Sequence, residues 1–497
     1  MSDRGRLSVA TGVLLGILAT MGYVLSPPSF DPPRLGQSTS LQALPAQPAA
    51  ERRPVPHDAA IQAEDLSVPV QGTTLTATIR SPRTPGRHPA LVFVQGSGSG
   101  DRGEFTTQAT WLARAGVITM TYDKRTVGYD FRHRDFSLLA DDALRMIEVL
   151  RQRQDVDAGR TGLWGVSEGS WVTPIAAAKS SAVAFTVMVS APVVSPMRQV
   201  AWALNEQLDR LHAPAGVREL LTRAMGGVGF DFLRYDSFPV LQQVTQPMLA
   251  LYGTMDPSIP FVESTQRLTA ALRDARNDDY TIRFLGGADH AMRVNGGPFA
   301  GGYLETLANW VLGLPATARP PAGAQIAGAT PVQRYAADDV PTAPWYARGA
   351  ILGFALTLTA VGYVAAPVTE MVVRLRRRDA VLSRPELWPG IRRRLRRIAW
   401  TGVGLLAAVV AFIMLIVLFS VNQAGAWPAV LAGWLVVRVL AILMLVQEVA
   451  TVAAVAAAWR DGWKPGRWQS FAVAAVLGGT ALLMVTAAYY GLFGVSW

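Results

Sequence analysis

Residues 161–169 read TGLWGVSEG, an apolar run that passes directly into Gly165-Val166-Ser167-Glu168-Gly169. A reactive serine hydroxyl needs a tight turn between a strand and a helix, and glycines two positions to either side let the backbone turn and the helix pack close. A bare G-x-S-x-G means little in a chain with 45 glycines. Here it follows a strand pattern and precedes a helical one at 170–179, the context the chemistry requires.

An acid and a histidine should then follow on later strand ends. Residues 248–260 read MLALYGTMDPSIP, which puts Asp256 just past an apolar strand pattern, and 284–292 read FLGGADHAM, which puts His290 just past the next. Sites of open α/β sheets collect at the carboxyl ends of strands. The chain has five histidines. His57 lies in a Pro/Ala-rich stretch, His88 before a strand, His133 in a polar loop and His212 in an insert, so His290 is the expected base for the Ser167 proton, with Asp256 fixing its tautomer. Asp289 is a second acid, but it adjoins His290 and reaches poorly across the ring. Each residue has a plainer reading (turn serine, helix N-cap, loop histidine). Order, spacing and strand context together favour the triad.

Upstream, residues 95–103 (QGSGSGDRG) form a loop of small residues after the third strand pattern. The backbone amides of Ser97 and Glu168 are the expected oxyanion donors. The same loop supports a competing reading. Gly98-x-Gly100-x-x-Gly103 with Asp123 at the end of the next strand fits a dinucleotide fingerprint. Two strand patterns precede this unit, however, and a cofactor would leave Ser167, Asp256 and His290 unexplained. No cofactor and no metal are expected.

Strand patterns at 66–70, 74–80, 90–95, 117–122, 161–166, 184–189, 248–252 and 281–285 alternate, after the first two, with helical patterns at 106–114, 138–153, 170–179, 262–273 and 300–312. This predicts an α/β domain: a mainly parallel eight-stranded sheet covered by helices on both faces. An insert at 192–244 carries two helix-like pieces, 197–211 and 217–225, and then GFDFLRYDSF. It reads as a small lid, an element that commonly sets which substrate enters.

Half of the residues are hydrophobic, and the excess gathers at the N-terminus and after residue 345. The run 9–25 behind Arg4 and Arg6 reads as a signal anchor or signal peptide, and the lack of a small-x-small site favours the anchor. Apolar stretches at 347–368, 399–420, 428–458 and 469–491 can each supply the ~20 residues that cross a hydrocarbon core. Ten arginines fall between Arg374 and Arg397, the 460–467 loop is mildly basic, and 421–427 has no charge. The positive-inside rule then gives five crossings of a bacterial inner membrane, with residues 26–345 on the extracytoplasmic side. Arg438 and Glu448 lie in the third tail segment, where a tilted or shifted span would let one of them snorkel to an interface. Residues 26–62 and 314–345, rich in Pro and Ala, read as a flexible stalk and a linker around a 63–313 domain, with 346–497 as an all-α transmembrane region. The net charge of +10 is largely the local arginine cluster, which argues against a nucleic-acid partner. The absence of Cys excludes a thiolate nucleophile, thiolate metal sites and disulfides. Nothing in the sequence fixes an oligomeric state.

Gln95-Gly96-Ser97-Gly98, Tyr122-Asp123-Lys124-Arg125-Thr126 and Gly165-Val166-Ser167-Glu168-Gly169-Ser170 resemble motifs of bacterial α/β-hydrolases related to dienelactone hydrolases and serine aminopeptidases. The resemblance covers about residues 63–313. It implies the α/β-hydrolase fold and a Ser-His-Asp mechanism through an acyl-enzyme, without a cofactor. Thr126, Val166 and Ser170 depart from the family's Gly, His and Gly, which bears on substrate preference and elbow packing. The expected substrate is a carboxylic ester, lipid-like given the bilayer tether. An aminopeptidase or amidase is the alternative, in which Glu206, Asp209 or Asp231 would hold a free amino terminus. A third reading makes the domain a non-catalytic sensor or transporter module.

Overall fold

The computed structural model describes residues 3–36, 41, 43–376, 389–421 and 426–494. After an N-terminal helix α1 (Asp3–Val24), the strands β1 (Ile61–Val70) and β2 (Thr73–Pro82) form a hairpin, followed by β3 (His88–Val94), α2 (Thr106–Arg114), β4 (Ile118–Tyr122), α3 (Phe136–Arg151), β5 (Val156–Val166), α4 (Gly169–Lys179) and β6 (Thr186–Val189). The insert contributes α5 (Pro196–Arg210), α6 (Ala215–Gly226) and the short α7 (Phe238–Leu241). The alternation then resumes with β7 (Met248–Gly253), α8 (Phe261–Asp274), β8 (Tyr280–Leu285), α9 (Tyr303–Leu312) and β9 (Ile326–Gly328).

The strand order is β1-β2-β4-β3-β5-β6-β7-β8-β9. β1/β2 and β2/β4 pair antiparallel, and all the other pairings are parallel. Period-two alternation sends neighbouring side chains into two cores. Ala90, Val92 and Val94 of β3, Leu163 of β5 and Tyr252 of β7 join one core with residues of α3, α4 and α8. Leu91, Phe93, Trp164 and Leu251 join the other with residues of α2 and α9. The chain runs from β3 to β4 on one side and returns to β5 on the other, so the order reverses beside β3. Ligands of such sheets bind in the crevice outside that switch point. The loops after β3 and β5 are those singled out in the sequence.

The sheet has nine strands where eight were expected. The ninth lies in the stretch read as a linker and pairs in parallel with β8. The segment expected to be a flexible stalk is also held. Arg283 on β8 is fully buried, and its guanidinium binds the Glu51 carboxylate at 2.5 and 2.6 Å together with the carbonyls of Ile282, Ala324 and Gln325. A buried cation needs such a partner. Composition signals flexibility there because the ties are to distant residues: Asn309 Nδ2 also donates to the Glu51 and Arg53 carbonyls, and Gln47 Nε2 to Thr306 Oγ1 at 2.7 Å.

The chain divides into two compact units. One comprises Pro32–Glu206 and Phe230–Asp339 and holds the sheet. The other comprises Met1–Asp31, Gln207–Gly229 and Val340–Trp497. The second unit contains α10 (Gly349–Arg376), α11 (Pro389–Val421), α12 (Ala426–Arg460) and α13 (Arg467–Tyr489). Four helices among the described residues are long and apolar enough to cross a membrane: Arg6–Val24, Gly390–Ile416, Trp427–Arg460 and Arg467–Tyr489. The apolar stretch Gly349–Ala365, where a further crossing was expected, lies within the 28-residue α10. Much of the basic loop (377–388) and most of the uncharged loop (422–425) lie outside the described residues. Arg438 turns its guanidinium to the Leu492 and Gly494 carbonyls, and Glu448 is buried on α12.

The middle of the insert belongs to this second unit. Arg223 of α6 donates to the Tyr489 carbonyl at 2.6 Å. The Gly226 and Gly227 carbonyls accept from the Ala343 and Gly349 amides, each at 3.0 Å.

Candidate active site

The serine turn follows from how closely β5, α4 and β3 pack. A Cβ on Gly165 would lie 2.4 Å from the Gly169 carbonyl oxygen, and one on Gly169 would lie 2.4 Å from that of Val94. Neither position has room for a side chain. Between them Ser167 sits at φ 53, a left-handed conformation that costs energy for any residue with a Cβ. Its N–H donates to the Val189 carbonyl at the end of β6 (3.0 Å). Ser170 donates its hydroxyl to the Gly165 carbonyl at 3.0 Å, so this departure from glycine adds a brace across the elbow. Thr126, the other departure from glycine, is exposed, and the positive φ in its loop falls to Gly128 (φ 74).

His290 follows β8, and its Nδ1 lies 2.9 Å from Asp256 Oδ2. The other oxygen of the buried Asp256 carboxylate accepts the Ser258 N–H at 2.8 Å. The two loops touch directly: a Cβ on Gly253 would meet the Ala288 carbonyl oxygen at 2.3 Å, and the Met255 N–H donates to that oxygen at 2.9 Å. Ser190 Oγ donates to the His290 carbonyl at 2.9 Å. Ser167 and His290 are therefore tied to consecutive residues, Val189 and Ser190, at one strand end. Burial draws the His290 pKa down, but the charge and hydrogen bond of Asp256, with a contribution from Asp289, leave it above the ordinary histidine value. Asp289 accepts the Ala291 and Arg293 amides, each at 2.9 Å. Its carboxylate shapes the turn, and Asp256 is the acid on the imidazole.

The loop after β3 reaches the serine. A Cβ on Gly96 would lie 3.6 Å from the Ser167 Cβ. Among the described residues, the Ser97 and Glu168 amides donate to no protein acceptor. Asp123, which a dinucleotide would need, accepts the Arg102 N–H at 2.9 Å and its guanidinium at 2.8 Å.

Sequence reasoning missed the group beneath this loop. The Glu168 side chain is 1% exposed, and it accepts Lys124 Nζ, the Tyr129 hydroxyl and Arg134 Nη1, each at 2.6 Å. Lys124 Nζ also donates to the Gly96 carbonyl at 2.6 Å and to the Tyr129 hydroxyl at 2.9 Å. Burial lowers the Lys124 pKa, opposed by the Glu168 carboxylate, while burial and Glu168 together raise that of Tyr129. A signal existed: Lys124 and Arg125 are consecutive cations directly after an apolar strand, where the chain is still buried. Arg125 is spent on Asp142 at 2.6 and 2.7 Å.

The aromatic stretch after the insert's helices packs toward the elbow helix. Tyr235 contacts Phe136 and Trp171 with ring centroids 5.0 and 6.3 Å apart. Of the carboxylates considered for an amino terminus, Glu206 is buried within 3.5 Å of Arg334, Asp209 lies on α5, and Asp231 opens a short 3-10 turn.

Residues 103–312 match the prolyl oligopeptidase family. The chain therefore carries a serine hydrolase domain of the α/β-hydrolase fold. Esterase EstD of Thermotoga maritima is 27% identical over 220 residues, which are 39% of this chain and 52% of that protein. The chain thus spans about half the length of this curated relative. Among solved structures, a putative dienelactone hydrolase from Klebsiella pneumoniae has a TM-score of 0.35 at 18% identity, covering 50% of this chain and 95% of that one. An acylaminoacyl peptidase from Pyrococcus horikoshii has a TM-score of 0.37 at 14% identity, covering 50% and 40%. These scores are too low to carry weight, and the fold assignment stands on strand order and the family match.

Proposed function

We propose that the hydrolase unit cleaves carboxylic esters by acyl transfer to Ser167. His290 takes the Ser167 proton as Oγ attacks the carbonyl carbon, and Asp256 holds the Nδ1–H tautomer that leaves Nε2 free to accept it. The Ser97 and Glu168 amides receive the developing oxyanion. His290 then protonates the departing alcohol. Water, deprotonated by the same ring, attacks the acyl-enzyme and releases the acid. The observation that carries this reading is the 2.9 Å Asp256–His290 pair at the strand ends that hold Ser167 at φ 53.

The relative named an esterase favours the ester bond. Apolar helices and the arginine-rich loop support action beside a bilayer, on its extracytoplasmic side, with a lipid-like ester as substrate. The match to the prolyl oligopeptidase family favours a second reading, cleavage of a peptide or amide bond by the same residues.

The deciding experiment is fluorophosphonate labelling of the detergent-solubilised full chain, with the adduct mapped by mass spectrometry. One adduct on Ser167, lost in Ser167→Ala and His290→Ala, is expected. Well-folded protein that takes no label would refute the mechanism. Rates on matched ester and aminoacyl-anilide substrates then separate the two readings.

A further inference from the structure

We infer that Lys124 is a positioning residue that orients both oxyanion donors, an inference that rests on the acyl-transfer reading of Ser167. The argument begins with peptide geometry. The Gly96 carbonyl and the Ser97 N–H belong to one planar trans peptide unit, so they point in opposite directions from the same plate. Lys124 Nζ holds that carbonyl at 2.6 Å. Fixing the oxygen fixes the direction of the N–H on the far edge. A cation on the carbonyl also draws electron density from the amide and makes its N–H a better donor.

The same ammonium reaches the second donor. Glu168 supplies its backbone N–H to the proposed hole, and its carboxylate takes Lys124 Nζ at 2.6 Å. One buried cation thus joins the loop after β3 to the elbow after β5, the two segments whose amides must converge on one oxygen. Tyr129 stiffens the junction. Its hydroxyl accepts from Lys124, donates to Glu168, and lies 3.3 Å from the Gly98 amide one residue beyond Ser97. The ammonium also lies 4.1 Å from the Tyr129 ring centroid. Arg134 completes the Glu168 carboxylate from the other side, so Lys124 is left to one task on each segment.

A plain structural salt bridge makes a different prediction. Lys124→Met takes one of three donors from the buried Glu168 carboxylate, which Arg134 and Tyr129 still hold, so it is expected to lower the melting temperature whichever account holds. The double variant Lys124→Met/Glu168→Gln also removes the buried carboxylate charge that Lys124 had helped to balance. Arg134 can still donate to the carboxamide oxygen that the second substitution introduces, and the new NH₂ group can donate to the Tyr129 hydroxyl, but nothing then holds the Gly96 carbonyl.

The experiment is steady-state ester hydrolysis by the full chain in detergent, together with the inhibition constant of a trifluoromethyl ketone, which forms a tetrahedral oxyanion adduct. Loss of a whole oxyanion donor costs roughly 10²–10³-fold in kcat. A donor that is present but no longer aimed should cost less. The expected result is a double variant melting within a few degrees of wild type, with kcat about 10–100-fold lower, KM within about threefold, and the ketone weakened in step with kcat/KM. Recovery of kcat in the double variant to near wild type would overturn the inference and leave Lys124 a structural ion pair. A rise in KM with kcat unchanged would also overturn it. Failure of the acyl-transfer reading is separately visible, because wild-type protein would then take no fluorophosphonate at Ser167.

Discussion

Replacing Asp256 by Asn tests the proposed base most sharply, because the structure dictates how the new amide must sit. Oδ1 of Asp256 accepts the Ser258 N–H at 2.8 Å, and Oδ2 faces His290 Nδ1 at 2.9 Å. In Asp256→Asn the carbonyl oxygen keeps the Ser258 N–H, since the NH₂ group has no acceptor there. The NH₂ then points at Nδ1 and converts it to an acceptor, which moves the ring proton to Nε2, where it blocks transfer from Ser167. Wrong-tautomer triads lose about 10³–10⁴ in kcat, or ~4–5.5 kcal/mol of transition-state stabilisation. Losing Asp256 also removes the main influence that raises the His290 pKa and leaves burial to lower it. Neutral imidazole is the active form, so wild-type kcat/KM should rise with pH through an apparent pKa above the usual value of about 6.5. In the variant that limb should move to lower pH. Stability carries the matching sign. With the folded pKa raised, the stabilising contribution of the pair is complete below the unfolded value and is lost as pH rises through the folded one. The assay is p-nitrophenyl ester hydrolysis across pH, with Asp289→Asn in parallel. An Asp256→Asn enzyme within tenfold of wild type, or an Asp289→Asn enzyme that loses more, would refute the assignment.

Gly165→Ala places a Cβ 2.4 Å from the Gly169 carbonyl oxygen, so thermal melting should show a loss of about 3 kcal/mol or more. Gly301→Ala, with nothing within 4 Å, should melt within about 1 kcal/mol of wild type. Glu51→Ala strands the fully buried Arg283 guanidinium and should cost roughly 3–5 kcal/mol, whereas an unchanged melting curve would mean that the 49–52 turn is not held by this pair. The chain contains no Cys, which makes single-cysteine labelling clean. A membrane-impermeant maleimide should label Gln62→Cys in cells with a permeabilised outer membrane and an intact inner one. Arg392→Cys should react only after the inner membrane is opened, and the reverse pattern would invert the proposed orientation.

The parts of the site that were legible in the sequence carry local geometry. Gly165 and Gly169 are written into the motif because no side chain fits between β5, α4 and β3, and Asp256 and His290 each follow an apolar strand by a few residues. What stayed hidden depends on partners far apart in the chain. The position of Lys124 after β4 hints at burial, but its partner, Glu168, lies 44 residues away. Glu51 looks like part of a Pro/Ala-rich tether until Arg283, 232 residues on, claims it. β9 has three residues, too few for any periodicity to register, and exists because the exposed edge of β8 pairs with it.

The insert illustrates the same limit at the scale of a whole element. Its position between β6 and β7 reads as a lid, and chain order says nothing more. Yet α6 shares a unit with the apolar helices. Arg223 reaches the carbonyl that ends α13, and Gly226 is packed so tightly that a Cβ would lie 2.4 Å from the Pro341 carbonyl oxygen. A chain cut before residue 340 would keep every triad residue but would strip α6 of these partners. Such a truncation should therefore still take fluorophosphonate at Ser167 while becoming sensitive to protease between residues 207 and 229. Protection of that segment equal to that in the full chain would show that α6 does not depend on the unit of apolar helices. The order of the insert, unlike the order of the triad, would then have to come from the hydrolase unit alone.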